Sequence, residues 1–403
     1  MSRLRALREA ARTGFWAIPS GCVLIAVALA LTLVQVDHAL DTELWFAFGA
    51  GPEGAREVLS AISSSMITFT GLVFSITVVV LQLTSSQFSP RVLRTFLRDR
   101  LTQFSLGTFV ATFVYSVTVL RTVTSGDAAF VPALSTTVGL ALLLLSVGMF
   151  VAYIHHIATS IQASAIMAAI GTETRDTIEK RFTDSDLRSS VRLPPQEHPL
   201  ADVITAPRSG VLARVDIARL VGAARDGGVI LRTRARLGDF VAEGAPLVEV
   251  LGTGRVEAGS ALDALTLSRD RSMEQDAAFG FRQLVDIAER ALSPGINDPT
   301  TAVQALDQLH DLLRRLAVRQ FPDGLHYDQD GLVRLVMPPE SFSDYLDLAL
   351  QEIDQYGAEV RQVQRRIDAL LADLATVALP EHRVAVAEWQ HRHRKSRQDV
   401  AAG

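Results

Sequence analysis

Residues 15–36 read FWAIPSGCVLIAVALALTLVQV, a run without a single charged side chain. At about 1.5 Å of rise per residue, a helix of this length crosses a hydrocarbon core of about 30 Å. Its apolar core is longer than that of a cleavable signal peptide, and no small-residue cleavage site opens a mature domain after it. The run therefore predicts a transmembrane helix that stays in the membrane.

Three more runs of this kind follow, at residues 62–83, 104–120 and 131–154, of which the third span of the chain is the shortest. The chain of 403 residues is 48% hydrophobic with a mean hydropathy of +0.24, which is high for a soluble enzyme. Most of the charge lies after residue 170. The sequence predicts an α-helical membrane domain of about four transmembrane helices at residues 1–157, followed by a charged α+β region.

The placement of charge predicts the orientation of these helices. The loop between the first two spans is acidic. Arginines instead precede the first span and fill the connection between the second and third: Arg3, Arg5, Arg8, Arg12, Arg91, Arg94, Arg98 and Arg100. Because short cytoplasmic loops carry an excess of basic residues, we expect both termini on the cytoplasmic side of a bacterial inner membrane.

Small and polar residues recur along the second span at helical spacing and predict a stripe on one face: Ser64, Thr68, Gly71, Ser75 and Gln82. Such a stripe either allows close packing of helices or lines a wetted pathway, and packing is the commoner use. The four runs contain no Asp, Glu, Lys or Arg. An ion-coupled pump is therefore disfavoured, because it usually needs a titratable group at depth.

The charged region divides into three parts. Residues 158–200 predict an amphipathic helix and a linker, and residues 201–258 predict a small β-rich domain of short runs separated by Gly and Pro. Residues 259–397 predict a helical domain with a short hairpin around residues 328–331. Within it, one helix stops at residues 293–295 and Asn297-Asp298-Pro299 opens the next.

Two segments of the β-rich part, residues 206–211 and 238–247, resemble a swivelling barrel-sandwich domain of the biotinyl or lipoyl type. Attachment of biotin or lipoate needs a lysine at a hairpin tip. The only lysines of the chain are Lys180 and Lys395, which lie outside this part. The residue types therefore exclude a swinging-arm carrier and leave a ligand-binding or interaction module.

The helical part carries the motif Gln275-Asp276, Phe279-Gly280, Leu284-Val285-Asp286-Ile287-Ala288 and Ala291-Leu292-Ser293-Pro294-Gly295-Ile296-Asn297-Asp298-Pro299-Thr300. The second span carries Gly71-Leu72-Val73-Phe74-Ser75 through Gln87-Phe88-Ser89-Pro90-Arg91. With both motifs, about residues 10–380 resemble the bacterial membrane family catalogued as domain of unknown function 2254. Ser272-Met273 departs from the threonine-proline type of pair expected there. The resemblance implies a multi-pass membrane topology and no activity.

Four residues of this motif offer oxygen atoms to a hard cation: Asp276, Asp286, Asn297 and Asp298. Capping of a helix explains Asp298 equally well, and pairing with Arg282 or Arg290 explains Asp286. An anion at the amides of the helix that opens at Pro299 is a third interpretation. Capping and pairing are the interpretation that we favour.

The remaining composition excludes several classes of protein. A single cysteine, Cys22, allows neither an internal disulfide nor a zinc site built on cysteines, and the net charge of −5 does not favour nucleic acid. The sequence contains no nucleotide-binding loop or nucleophile elbow. We therefore expect no enzyme, catalytic residue, metal or cofactor.

Two functions remain. The first is a homo-oligomer that forms a channel-like conduit in the lipid bilayer, with the charged region as a regulatory domain. The alternative is a membrane-anchored sensor or scaffold whose cytoplasmic part binds a small ligand or a partner protein. The first function implies the lipid bilayer and further copies of the chain as partners. The second function implies an unknown ion or small ligand.

Overall fold

The computed structural model describes residues 16–39, 51–87, 99–125, 130–160, 162–182 and 198–402. The chain forms two compact units, Met1–Gln162 and Ala163–Gly403. Among the described residues of the first unit, four helices are long and apolar enough to cross a membrane, which confirms the predicted number of spans. They are α1 (Ala17–Ala39), α2 (Pro52–Gln87), α3 (Arg100–Leu120) and α4 (Ala133–Ser160). Most of the arginines used to predict the orientation lie outside the described residues.

The shortest predicted span, α3, is the central helix of this unit. It packs against α1, α2 and α4. In its most apolar stretch 56% of the residues are buried, compared with 17–22% in the other three helices. A helix that is buried over more of its surface has less contact with lipid, so it needs less hydropathy. This explains why α3 gives the weakest signal in the sequence.

Polar side chains of α3 bond to the neighbouring helices. The Tyr115 hydroxyl donates to the Ser135 carbonyl oxygen at 2.8 Å, and the hydroxyls of Thr112 and Ser146 lie 3.1 Å apart. The Tyr153 hydroxyl of α4 reaches Thr77 of α2 at 2.9 Å. These bonds join α3 to α4 and α4 to α2.

At each end of the bundle a carboxylate caps the N-terminus of a helix. Asp37 at the end of α1 accepts hydrogen bonds from the backbone amides of Leu134 and Ser135, both at 2.9 Å, and so caps α4 from another helix. At the opposite end Asp99 caps α3 and lies 3.0 Å from the His156 ring of α4. The free backbone amides at the N-termini of α4 and α3 thus each have a carboxylate as hydrogen-bond acceptor.

The second unit opens with α5 (Ala163–Arg181) and continues with two sheets. The five-stranded sheet has the order β1 (Leu200–Thr205), β5 (Pro246–Leu251), β3 (Ile230–Thr233), β8 (Val333–Val336) and β7 (Leu325–Tyr327). The three-stranded sheet has the order β4 (Phe240–Val241), β2 (Gly210–Val215) and β6 (Leu265–Ser268). Helices α6 (Ile217–Asp226) and α7 (Ala258–Leu262) accompany them, and one hydrophobic core contains residues of both sheets.

The β-rich part extends beyond the predicted residues 201–258. Strand β6 follows them, and the hairpin of β7 and β8 comes from the part of the sequence assigned to the helical domain. Strand β8 pairs in parallel with β3, with Leu231 opposite Leu335. A pairing between strands so distant in sequence leaves no local pattern, which is why the sequence places only the hairpin itself. The finer likeness to a barrel sandwich stays a prediction.

The remaining helices pack on α5 and on one another. They are α8 (Ala277–Leu292), α9 (Pro299–Ala317), α10 (Phe342–Tyr356), α11 (Arg361–Val377) and α12 (Pro380–Ala402). The α8 helix ends at the predicted Leu292, and α9 begins at Pro299 directly after its cap Asp298. Proline at the first helical position and an aspartate before it are strong start signals, so the sequence places this boundary well.

Candidate functional sites

The polar stripe of α2 lies on the outer surface of the first unit. Each of its five residues is exposed: Ser64, Thr68, Gly71, Ser75 and Gln82. The Ser64 hydroxyl donates to the Ala61 carbonyl oxygen, and the Thr68 hydroxyl donates to that of Ser64, both at 3.0 Å. Within one copy the stripe therefore faces outwards, and two of its hydroxyls are satisfied by their own helix.

The opposite face of α2 packs into the bundle through large apolar side chains. Leu59, Ile62 and Met66 are almost completely buried. The centre of the bundle is filled by three aromatic rings with no exposed surface: Phe109, Tyr115 and Tyr153. In the part of the chain that the structure describes, a single copy is thus packed at its centre instead of enclosing a wide passage.

Beside the stripe, an open groove of about 640 Å³ separates α1 from α2, with α3 as its floor. Gly71 belongs to both the stripe and the groove, and a Cβ at this glycine would meet nothing within 4 Å. The lining is mainly apolar and comes from Trp16, Pro19, Ser20, Val23, Leu24, Ile67, Thr70, Gly71, Phe74, Leu106 and Val110. The side of α2 that faces α1 therefore forms one wall of a groove instead of a flat apolar surface.

Asp276, the first residue of the predicted cation site, is buried and paired. Its carboxylate accepts two hydrogen bonds from the Arg271 guanidinium, at 2.9 and 3.0 Å, and one from the Phe279 amide. Burial raises the pKa of the Asp276 carboxyl, and the Arg271 charge opposes this shift. A Cβ at Gly238 would lie 2.6 Å from the pair, so the loop before β4 packs directly on it. Asp276 thus joins the β-rich part to α8.

Gln275, its neighbour in the motif, makes a second joint. Its side-chain oxygen accepts from the Val215 amide at 2.9 Å, and its side-chain nitrogen donates to the Val215 carbonyl oxygen at 3.3 Å. The side-chain amide thereby pairs with the backbone of Val215, the last residue of β2. Arg181 of α5 donates to the Gln275 carbonyl oxygen at 2.6 Å. The Gln275-Asp276 pair therefore holds β2, α5 and α8 together.

Asp286 is a member of an ion-pair cluster around Arg282. The Arg282 guanidinium contacts Asp286 at 2.6 Å, Glu289 at 2.9 Å and also Glu352 of α10. Burial raises the pKa of Glu289, and the nearby Glu352 charge adds to this shift. The pairing of Asp286 with Arg282 follows the i, i+4 spacing of a helix, as the favoured interpretation expects.

Asp298 and Asn297 lie in the turn between α8 and α9. Asp298 accepts from the amide and the hydroxyl of Thr301 at 3.1 and 2.6 Å, and these bonds lower the pKa of its carboxyl. Asn297 has a φ of 49°, a left-handed conformation that asparagine adopts more readily than most residues. Both residues thus have a structural part in the turn.

The structure does not bring the four residues of the predicted cation site together. Asp276 precedes α8 and Asp298 follows it, so about 24 Å of helix separates them. Asp286 lies between them and faces Arg282. No group of three metal-ligating side chains occurs among the described residues. The carboxylates are therefore used in capping and pairing.

Sequence reasoning missed a buried histidine in α12. The His393 side chain is 1% exposed, with Nδ1 2.7 Å from Asp354 of α10 and Nε2 3.4 Å from Asp368 of α11. Gln364 also donates to the Asp354 carboxylate, at 3.1 Å. In the sequence His393 is one of several polar residues in a basic tail, and only the tertiary fold reveals its partners. Through its bond to Asp354 it attaches the last helix to α10.

The β-rich part contains a small cavity of about 150 Å³. Sites for drug-sized ligands are typically about 300–1,000 Å³, so this cavity suits only a very small ligand. Arg208 lies at the cavity and donates to the Leu267 carbonyl oxygen. The lining residues are Pro207, Arg208, Leu247, Leu262, Leu265, Thr266 and Leu267.

Comparison with known sequences identifies the family. Residues 12–373 match the family described as a predicted membrane protein, domain of unknown function 2254. The chain belongs to this family. It is 35% identical over 401 residues to uncharacterised proteins of Mycobacterium tuberculosis and Mycobacterium bovis, covering 96% of this chain and 76% of each relative. No solved structure matches the chain. The resemblance seen in the two sequence motifs is thereby confirmed.

Proposed function

We propose that the protein assembles in the bacterial inner membrane as a homo-oligomer in which the polar stripe of α2 lines a shared axis and forms a channel-like conduit. The second unit acts as a regulatory domain on the cytoplasmic side, where both termini lie. The observation that carries this proposal is the outward exposure of the whole stripe. No chemical step is assigned to the protein, and no cofactor is needed.

The exposed faces of the spanning helices differ in chemistry. Exposed positions of α1 and α4 are occupied by residues such as Leu24, Leu31 and Leu144, which suit contact with lipid tails. The exposed face of α2 presents hydroxyls and a glycine between its apolar residues. A polar group facing hydrocarbon gains from a protein or water partner, and symmetric copies supply both.

The position of the stripe also limits what a conduit can be. Because aromatic rings fill the bundle of one copy, a passage has to be formed between copies. Ser64, Thr68 and Ser75 lie within the apolar part of α2, whereas Gln82 lies at the end of the span that the sequence places at residues 62–83. The hydroxyls therefore line the passage, and the Gln82 amide belongs to its mouth.

Flux through liposomes tests the conduit. Vesicles loaded with potassium chloride and carrying the wild-type protein should release the salt faster than empty vesicles, and Ser75→Leu with Gln82→Leu should change that rate. Leu144→Val is the matched control, because Leu144 is an exposed apolar residue of α4, away from the stripe. If vesicles carrying each of the three proteins release salt no faster than empty vesicles, the proposed conduit is contradicted.

A sensor or scaffold is the second candidate function, and it is favoured by the separate core and the small cavity of the second unit. Because α5 packs on α8 and α9, the fragment to test begins at Ala163 and not after the linker. The sensor function predicts that this fragment is monomeric, folded and able to bind its ligand alone. Aggregation of the fragment would count against this function.

A further inference from the structure

The last helix of the second unit, α12, packs on α10 and α11. Where the three helices meet, the His393 side chain is 1% exposed. Its Nδ1 lies 2.7 Å from the Asp354 carboxylate of α10, and its Nε2 lies 3.4 Å from the Asp368 carboxylate of α11. The ring is thus enclosed between two carboxylates, one on each neighbouring helix.

The two nitrogens of the His393 ring are used differently. Nδ1 donates a hydrogen bond to Asp354, whereas Nε2 is buried and has no hydrogen-bond partner among the described residues. A neutral imidazole carries a hydrogen on one nitrogen and a lone pair on the other. With the hydrogen on Nδ1, the lone pair of Nε2 faces the Asp368 carboxylate, and the two acceptors repel each other. A proton on Nε2 turns this repulsion into an attraction between opposite charges.

The charges around the ring favour its protonated form. Among the described residues, Asp354 and Asp368 are the carboxylates that face the ring, and Arg397 donates to the second oxygen of Asp368 at 2.5 Å. Gln364, which donates to Asp354, is neutral. A neutral ring therefore leaves one negative charge of this cluster without a positive partner, and an imidazolium supplies that partner. Burial disfavours a charge on the ring, but contact with two carboxylates opposes this cost.

Other contacts hold the first part of α12. His382 donates from Nε2 to the Arg319 carbonyl oxygen at 2.9 Å, and Trp389 donates from its indole nitrogen to a carboxylate of α10 at 2.8 Å. Both residues precede His393 in the helix. Loss of the His393 contacts therefore loosens the end of α12, residues 390–397, while the start of the helix stays attached.

We propose that His393 is a proton-dependent latch for the end of α12. The protonated ring bridges Asp354 and Asp368 and so holds residues 390–397 on α10 and α11. As the pH rises through the range in which histidine loses its proton, Nε2 presents a lone pair to Asp368 and the end of the helix is released. The attached helix binds the proton more tightly than the released helix does, so attachment is strongest at acidic pH and weakens towards alkaline pH. The latch lies within the second unit and does not depend on the proposed conduit.

Hydrogen exchange of the full chain in detergent, between about pH 5.5 and about pH 8.5, tests the latch. Protection factors are used, because they remove the pH dependence of intrinsic amide exchange. In the wild type, the protection of residues 390–397 should fall about tenfold as the pH rises, which corresponds to the loss of one charge-assisted hydrogen bond. The protection of residues 382–388, the internal reference, should fall much less.

Three variants separate the latch from general effects of pH. His393→Gln has no titrating ring, and Asp368→Asn offers the neutral ring an amide donor, so the protection of residues 390–397 should not depend on pH in either variant. The Asp368 side chain is 42% exposed, so its substitution leaves the packing intact. Arg397→Gln removes the ion pair with Asp368 but keeps the ring, and it should retain the dependence. Constant protection in the wild type would overturn the proposal, and so would a dependence on pH that persists in His393→Gln.

Discussion

Gly280 of α8 lies directly against Thr174 of α5, and a Cβ at position 280 would overlap the threonine side chain. Thr174 is fully buried at this crossing, and its hydroxyl donates to the Ile170 carbonyl oxygen of its own helix at 2.7 Å. The glycine of the Phe279-Gly280 motif is therefore explained by the crossing of two helices.

We expect Gly280→Ala to lower the free energy of unfolding by about 1–3 kcal/mol, because the added methyl group overpacks this crossing. Gly222→Ala is the matched control: Gly222 also lies in a helix, but a Cβ there meets nothing within 4 Å. That substitution should leave stability unchanged or raise it by up to about 1 kcal/mol. Thermal unfolding of both variants in detergent measures the difference. If Gly280→Ala unfolds at the same temperature as the wild type, the close packing of Gly280 on Thr174 is contradicted.

Asp298→Ala should destabilise the start of α9 by about 1 kcal/mol, since the Thr301 amide loses the carboxylate that accepts its hydrogen bond. Asp298→Ser should retain most of the stability, because serine is an equally good cap. Hydrogen exchange of the amides of residues 300–303 measures the effect. Similar exchange in the alanine and serine variants would show that the cap contributes nothing there.

The same carboxylate predicts a dependence on pH. The pKa of Asp298 is lower in the folded chain than in the unfolded one, so its contribution to stability is present above about pH 4 and is lost as the pH falls through the folded pKa. Asp298→Ser has no such titration. The stability of this variant relative to the wild type should therefore improve on acidification. A difference in the free energy of unfolding between the two proteins that stays constant from pH 6 to pH 3 would argue against this linkage.

Removal of the His393 side chain should loosen the last helix. We expect His393→Ala to cost about 2 kcal/mol, because the buried carboxylate of Asp354 loses a charge-assisted partner. His391→Ala is the control, as His391 is exposed on the same helix. Exchange of the amides of residues 386–397 should rise in the first variant only. Equal exchange in the two variants would mean that His393 does not attach α12.

Labelling of intact cells tests the proposed orientation. In the Cys22→Ala background, Glu53→Cys at the start of α2 should react with a membrane-impermeant maleimide, because the acidic loop is placed outside. Val384→Cys in α12 is exposed but should react only after the cells are permeabilised. The reverse pattern would show that the second unit lies outside the cytoplasm.

The parts of the fold with a local signal could be predicted from the sequence. The four spans follow from uncharged runs, and the start of α9 follows from Asp298-Pro299. Helix α2 nevertheless begins at Pro52, ten residues before the predicted start of its span at residue 62. Glu53, Arg56 and Glu57 end the apolar run but do not end the helix, because charged side chains are compatible with helical backbone.

Features that depend on long-range contacts were less accessible. The pairing of β8 with β3, the cap that Asp37 provides for α4 and the burial of His393 join residues distant in sequence. For the stripe of α2, the spacing identified the face but gave no information on whether that face turns inwards or outwards. The exposure of Ser64, Thr68 and Ser75 answers this for one copy.

Cysteine cross-linking tests the assembly through α2 most directly. Ser75→Cys and the control Leu144→Cys, an exposed lipid-facing position on α4, are made in the Cys22→Ala background and oxidised in native membranes. The account predicts covalent dimers for Ser75→Cys and none for Leu144→Cys. If Ser75→Cys stays uncrosslinked and the protein in detergent has the mass of one 43.7 kDa chain, the stripe does not face a second copy and the proposed conduit is contradicted.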